Sequence, residues 1–96
     1  MYVIFRVDPQ NEGGDAYALF PECPFGDNFC MSFQHVGGHS AADYQGCIER
    51  SRPAKPEEYA DLLAELIRIG YDDLVVRERA TREMHDRRNR EAREER

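Results

Sequence analysis

Residues 56–79, PEEYADLLAELIRIGYDDLVVRER, form the stretch that decides the fold, because its pattern predicts one helix followed directly by one strand. Pro56 suits the first helical position, since its missing N–H has no intrahelical partner there. Gly70 supplies the left-handed residue that commonly closes a helix. The predicted helix has one buried stripe, made by the apolar residues that recur at steps of three and four, namely Tyr59, Leu62, Leu63, Leu66 and Ile67.

A helix of this length is marginal when isolated in water, so its apolar stripe must pack on another element. Residues 74–79 alternate as a strand with one covered face does, with Leu74, Val76 and Glu78 on one side. The first half of the chain is therefore expected to supply a sheet on which the helix lies.

The first 36 residues contain three predicted strands. Residues 2–7 and 16–20 are rich in β-formers and predict an antiparallel hairpin across the Gly- and Asn-containing loop of residues 8–15. Residues 21–28 hold two prolines, a glycine and an asparagine, which predict an exposed loop. Residues 29–36 alternate apolar and polar side chains, which predicts a third strand with an aromatic face on the core and a polar face turned away.

A short helical turn is expected after the third strand. Residues 40–43, Ser-Ala-Ala-Asp, have the spacing of a capping box, with Asp in the place usually taken by Glu or Gln. The turn is predicted to begin at Ser40 and to end near Gly46. Residues 47–52 are expected to be extended.

These elements predict an α+β domain over residues 1–79, with a small, mainly antiparallel sheet of four or five strands and one main helix packed on one face. Residues 80–96 are predicted to be a charged C-terminal extension that is either helical or disordered. Its Arg–Glu pairs at four-residue spacing contribute only about 0.2–0.5 kcal/mol each. His85, within this extension, is expected to be solvated.

The formal net charge of −6 is unevenly distributed. Residues 1–76 hold 5 basic and 13 acidic side chains, whereas residues 77–96 hold 8 arginines and 6 acidic side chains. An acidic body disfavours direct nucleic-acid binding, which depends on basic side chains at the phosphates. The chain has no apolar run of the roughly 18 residues needed to span a bilayer, and its three cysteines are an odd count. We therefore expect a cytoplasmic protein with reduced thiols and no contact with a membrane.

Residues 35–40, HVGGHS, are the most suggestive candidate site. A glycine pair followed by a helical turn would place free N–H groups and the positive end of a dipole together, which is how phosphates are held. The ligand-binding hypothesis assigns this role to His35, Gly37, Gly38, His39 and Ser40. The alternative is an ordinary turn that needs glycine for positive φ. The sequence leaves both open.

Metal binding and catalysis are weaker hypotheses. The cysteines and histidines at positions 23, 30, 35, 39 and 47 lack the tight spacings of zinc sites, so no metal and no cofactor is expected. Any chain with three Cys and three His contains combinations of the two by chance. Without known distances between the side chains, none of these combinations identifies a catalytic residue. A thiol- or metal-dependent enzyme remains the third hypothesis for function.

Five segments carry a resemblance to known sequences: residues 3–6 (VIFR), 18–22 (ALFPE), 34–44 (QHVGGHSAADY), 53–62 (PAKPEEYADL) and 69–74 (IGYDDL). In these segments the chain resembles a family of short uncharacterised proteins of bacterial phages, plasmids and other mobile elements. The resemblance implies a context rather than an activity. Small acidic proteins in that context often block a host defence complex or sequester its nucleotide signal.

The leading hypothesis is therefore a non-enzymatic accessory protein of a phage or mobile element that binds and inhibits a host protein. Its expected partner surface combines the loop containing Phe25, Asp27 and Asn28 with the turn at residues 37–40. The second hypothesis is a small-molecule binder that holds a phosphorylated or nucleotide ligand at the same turn, either within one subunit or across a homodimer.

Overall fold

A computed structural model describes residues 1–8, 16–26 and 29–94 of the chain. Within these ranges no helix has the length and apolar content needed to cross a membrane. The elements in chain order are β1 (Tyr2–Val7), β2 (Tyr17–Pro24), β3 (Cys30–Gln34), β4 (Gly38–Ala42), α1 (Tyr44–Arg50), β5 (Arg52–Pro53), α2 (Pro56–Arg68), β6 (Val75–Val76) and α3 (Arg82–Glu94).

The strands form one sheet in the order β4-β3-β2-β1, and the far side of β1 is shared by β5 and β6. β5 pairs with the end of β1 at Arg6 and Val7, while β6 pairs with its start at Tyr2 and Val3. The β1–β6 pair is parallel and the other pairs are antiparallel. The predicted α+β class with a mainly antiparallel sheet is confirmed, and its six strands include two of only two residues.

Helix α2 covers one face of this sheet, as its apolar stripe predicted. Leu62 and Leu66 are buried, and Tyr59 stacks on Phe5 with ring centroids 4.4 Å apart. Ile67, which the sequence places in the stripe, is 56% exposed. The helix begins at Pro56 and is followed by Gly70 at φ +125°, both as predicted.

The opposite face of the sheet is also covered, which the sequence did not indicate. Ile4, Leu19, Cys30 and Cys47 form a second buried cluster beneath α1. The prediction that the second face of β3 points away from the protein is therefore wrong for Cys30 and for Ser32, which are both buried. Alternating polarity marks two faces but does not say whether a second helix lies on the other one.

The helix expected at Ser40 begins instead at Tyr44, with Asp43 as its extended N-cap residue. Residues 38–42 pair with β3 in register, so the backbone groups that face β3 are used in the ladder and the extended backbone cannot start a helix. Gly46 lies inside α1, and the extended segment predicted for residues 47–52 is mostly helical. A cap-like spacing in the sequence could not outweigh the ladder that the hairpin provides.

The loop predicted for residues 21–28 is also wrong in its first half, because β2 continues to Pro24. The β2–β3 register shifts between Phe20 and Pro24, and this irregularity accommodates the prolines. Glu22 is buried there and accepts a hydrogen bond from the Tyr2 backbone N–H at 2.9 Å.

Helix α3 lies against the outer end of β2. Met84 is buried, and Arg88 Nη1 donates to the carbonyl of Pro21 at 3.0 Å. The His85 ring meets Tyr44 edge-on at 4.8 Å, so the expectation that His85 is fully solvated is wrong. The division of the chain at residue 79 stays a prediction.

Candidate functional site

The β3–β4 hairpin carries all five residues that the sequence assigns to a ligand site. Its turn needs glycine, because Gly37 has φ +105° and Gly38 has φ +68°, conformations that other residues rarely adopt. Ser40 follows in the strand rather than at a helix start. The turn therefore lacks the helix dipole on which the phosphate-binding hypothesis depends.

The hairpin also separates the candidate residues onto two faces. Phe33 pairs with His39 and Ser32 pairs with Ser40, and successive side chains in a strand point to opposite sides. His39 lies on the α2 side of the sheet, and Ser40 lies on the α1 side. The structure does not bring these two side chains together, and a shared role in ligand binding stays a prediction.

On the α2 side, His39 is part of an aromatic cluster. Its Nε2 lies 2.8 Å from the Tyr71 hydroxyl, and its ring meets Phe33 edge-on at 4.8 Å. Tyr71 in turn stacks on Phe20 at 5.2 Å. Burial is the main cause that raises the pKa of Tyr71 above its usual value. The hydroxyl is thus protonated at neutral pH and ties β4 to the segment after α2.

His35 makes a second link between the hairpin and α2. Its Nδ1 lies 2.6 Å from the carboxylate of Glu65, although the His35 side chain is mostly exposed. The two histidines therefore hold the α2 side of the hairpin, one at the turn and one in the strand.

On the α1 side, a cleft of about 290 Å³ lies between the hairpin and α1. Its floor includes Ser32 and Ser40, whose hydroxyl oxygens are 3.0 Å apart. Its wall includes Cys47 and Arg50 of α1, and Arg50 Nη2 donates to Cys47 Sγ at 3.3 Å. The cleft offers hydroxyl groups and one guanidinium group beside the strand edge.

Gly46 shapes the wall of this cleft. A side chain there would place its Cβ 2.6 Å from Asp43 Oδ2 and 3.4 Å from Arg50 Nη1. Because Gly46 has no side chain, the ends of Asp43 and Arg50 can both lie over the first turns of α1. The small residue therefore serves packing rather than a turn.

Buried polar contacts fix the far end of α1 to the sheet. Arg6 is buried, its Nε donates to Ser51 Oγ at 2.8 Å, and its Nη2 donates to the carbonyl of Ile48 at 3.2 Å. Burial lowers the pKa of Arg6 from its usual value, but the group stays charged in this polar surrounding. These contacts make the wall of the cleft a fixed element.

The outer edge of the hairpin is open. β4 is the last strand of the sheet in the part of the chain that the structure describes. Val36, at the turn, is 78% exposed, while Phe25 and Phe29, at the opposite end of β3, are 41% and 44% exposed. The Phe25 N–H donates to the carbonyl of Phe29 at 3.0 Å, which closes the β2–β3 connection. Of the predicted partner surface, Phe25 is thus exposed, and Asp27 and Asn28 lie outside the described residues.

Two of the three thiols are held in their neutral form. Burial is the main cause that raises the pKa of both Cys23 and Cys30 to about 11. Among residues 1–8, 16–26 and 29–94, no group of three or more Cys, His, Asp or Glu side chains is placed to hold a metal ion.

Sequence reasoning missed the cleft and the open edge. Counting back from the two glycines would have paired Ser32 with Ser40 and placed both on one face, because a hairpin fixes its own register. Arg50 and Cys47 could not be added in this way, since their position depends on the path of α1. Comparison of the chain with protein-family models, with curated proteins and with solved structures gives no match.

Proposed function

We propose that this chain is a non-enzymatic binding protein that captures an extended segment of a partner protein along the edge of β4. The observation that supports this proposal is the open edge itself: five residues, Gly38–Ala42, at the end of the sheet, with no charged side chain and no proline. An incoming strand would pair with the free backbone groups of β4 and extend the sheet.

Edges of this kind are normally protected. Proteins block them with lysine, proline, bulges or a covering loop, because unpaired backbone N–H and C=O groups recruit other chains. β4 carries none of these side chains, and its ladder with β3 is regular over five residue pairs. The small side chains of Ala41 and Ala42 also leave space for a second backbone beside it.

The flanks of the edge provide the side-chain contacts that give such pairing its specificity. Phe25 and Phe29 offer apolar surface at one end, and Val36 offers it at the other. Every second side chain of an added strand would face the α1 side, where the cleft beside Ser40 is open. Backbone pairing supplies affinity, and the contacts at the flanks and in the cleft select the sequence of the captured segment.

The charge of the body favours a partner with basic residues near the captured segment. Residues 1–76 hold 13 acidic and 5 basic side chains, and Asp43 follows directly after β4. The resemblance to proteins of phages and mobile elements adds that the partner is a host protein, whose activity the binding inhibits. Three free thiols fit action in the cytoplasm, where cysteines stay reduced.

The competing thiol-enzyme hypothesis receives less support from the geometry. The pKa of about 11 for Cys23 and Cys30 leaves little thiolate at neutral pH, and the thiolate is the reactive form.

The test compares two lysine substitutions of matched chemistry. Ala41→Lys places a charge on the exposed edge strand, and Ala60→Lys places the same charge on the exposed side of α2. Wild-type and variant proteins are immobilised and used to capture proteins from a bacterial lysate. We expect the partner to be retained by wild type and by Ala60→Lys and to be reduced at least about tenfold on Ala41→Lys.

Hydrogen exchange of the purified complex then locates the contact. The amides of residues 38–42 should gain protection on binding, and the partner's own activity should fall as complex forms. Capture that Ala41→Lys leaves intact, or protection confined to another surface, would contradict the proposal. If β4 instead pairs with β4 of a second copy, the purified protein would have twice the mass of a monomer. The second copy would then take the place of the partner protein.

A further inference from the structure

A second surface, separate from β4, lies where α3 runs past the start of β1. A groove of about 370 Å³ is lined there by three arginines from two different elements. Arg77 follows β6, while Arg87 and Arg90 lie nearly one turn apart on α3. We call these three residues and the space between them the arginine groove.

The carboxylates of the groove neutralise only part of this charge. Glu22 is buried and engaged, since its Oε1 accepts from the Tyr2 N–H at 2.9 Å and its Oε2 lies 3.5 Å from Arg87 Nη1. Glu83 is exposed and is the second acidic residue of the lining. Arg87 is thus paired with Glu22 and also with Glu91 at 3.4 Å, so Arg77 and Arg90 share the groove with one exposed carboxylate, that of Glu83.

Two of the guanidinium groups are available to a ligand. Arg77 Nη1 donates to the carbonyl of Val76, its own neighbour, at 3.2 Å. The same guanidinium lies 5.3 Å from the centre of the Tyr2 ring, and this cation–π contact orients it without a carboxylate taking up its charge. Arg90 makes no ion pair with any residue in the described ranges.

We propose that the arginine groove binds the phosphate group of a phosphorylated small molecule. A planar guanidinium presents two parallel N–H groups that match the oxygen atoms of a phosphate. Two such groups, with no carboxylate paired to them in the described part of the chain, suit a dianion better than a singly charged carboxylate. Like charges held around one space repel each other, and a bound dianion removes that repulsion.

The test uses two probes that share a phenyl ring and differ in the anionic group, phenyl phosphate and benzoate. Each is titrated into the full chain at low salt, and the Nε–Hε signals of the arginines are followed by NMR. We expect saturable shifts at Arg77 and Arg90, with phenyl phosphate bound at least about tenfold more tightly than benzoate.

Two double substitutions of equal charge separate the groove from the general charge of α3. Arg77→Gln with Arg90→Gln should weaken phenyl phosphate binding at least about tenfold. Arg79→Gln with Arg93→Gln removes the same charge from exposed positions outside the groove and should leave the affinity within about twofold.

Equal weakening in both double variants would overturn the proposal, because it would show attraction by net charge alone. Equal affinity for the two probes would overturn the assignment to phosphate, and an absence of saturable shifts at Arg77 and Arg90 would remove the site. Arg90→Gln alone provides a milder variant if the double change disturbs α3, and it should still weaken binding severalfold. None of these outcomes depends on capture of a protein at β4.

Discussion

Helices α2 and α3 have the same length, thirteen residues each, but they are held to the sheet in different ways. α2 buries Leu62 and Leu66 and stacks Tyr59 on Phe5. α3 buries Met84 and otherwise consists almost wholly of charged residues. An amphipathic stripe attaches the first helix, and one apolar side chain with polar contacts attaches the second.

The polar contacts of α3 are specific but weak. Arg88 donates to the carbonyl of Pro21, Arg87 lies 3.5 Å from Glu22, and the His85 ring meets Tyr44. Only the Arg87–Glu22 contact is an ion pair, and because Arg87 is mostly exposed it contributes about 0–1 kcal/mol. We therefore expect α3 to open locally, while α2 opens only when the whole domain unfolds.

Leu66→Ala should have the largest effect. Leu66 is fully buried between α2 and the sheet, so its truncation should lower the free energy of unfolding by about 2–5 kcal/mol. Urea denaturation followed by far-UV circular dichroism measures this loss. Ile67→Ala, one position on and exposed, is the control and should change stability by less than about 0.5 kcal/mol. Similar losses for both would mean that α2 does not pack through this stripe.

Met84→Ala should lower the stability of the docked α3 by about 2 kcal/mol. This lies at the lower end of the range for a buried methionine, because α3 can detach from the sheet instead of leaving a cavity. The loss should be local. Hydrogen exchange should show amides of residues 82–94 exchanging much faster, with those of α2 unchanged. Uniform acceleration in both helices would show that α3 belongs to the same cooperative unit as α2.

His85→Phe should strengthen the attachment of α3 by about 1 kcal/mol, because it keeps an aromatic ring against Tyr44 and removes a buried Nδ1 that has no hydrogen-bond partner among the described residues. Burial, and then the charge of Arg88, lower the pKa of His85 from 6.5. Below that value His85 binds a proton in the unfolded chain more readily than in the docked helix. The hydrogen-exchange protection of α3 should therefore fall as the pH drops below 6.5.

The same pH series with His85→Phe should lose this dependence. Protection factors of α3 amides at several pH values provide the measurement. A dependence that persists in the variant would assign the effect to another group.

Glu58 should give the smallest effect, and it acts where β5 meets the start of α2. Arg52 donates to both oxygens of its carboxylate at 2.7 and 2.6 Å, and these hydrogen bonds lower the pKa of Glu58 from 4.5 to about 2. The stabilisation is complete above 4.5 and is lost as the pH falls toward 2, since the unfolded chain then binds the proton first. The urea midpoint of Glu58→Gln should therefore fall less between pH 4.5 and pH 2 than that of wild type. The midpoint of Glu57→Gln should fall with pH as it does in wild type.

The sequence predicted the class of fold because the strongest signals are local. Pro56 at the helix start, the stripe of α2 and Gly70 with positive φ are properties of adjacent residues. Pro56 and Gly70 are confirmed, and the stripe is confirmed except at Ile67, which is exposed. The weaker predictions depended on distant partners. Ser40 was assigned to a helix because its pairing with Ser32 across the hairpin cannot be read from the four residues around it.

The turn that carries the candidate site was predicted in its position, but the directions of the side chains around it were not. The glycines at 37 and 38 indicated a turn, and the turn is there. The side chains of His39 and Ser40 point to opposite faces, because strand geometry alternates them. Arg77 and Arg90 are thirteen residues apart in sequence and share a groove only because α3 folds back past β1.

By itself, the sequence determined the elements that local rules stabilise: the first three strands, helix α2 with its ends, and the tight turn at the glycine pair. Only the tertiary structure decided which surfaces are covered and which are open. The second face of the sheet received α1 and α3, and the edge of β4 received no strand from the described residues. The reason is physical: periodicity fixes the direction of each side chain, whereas burial depends on which element lies opposite it, and that partner is distant in the chain.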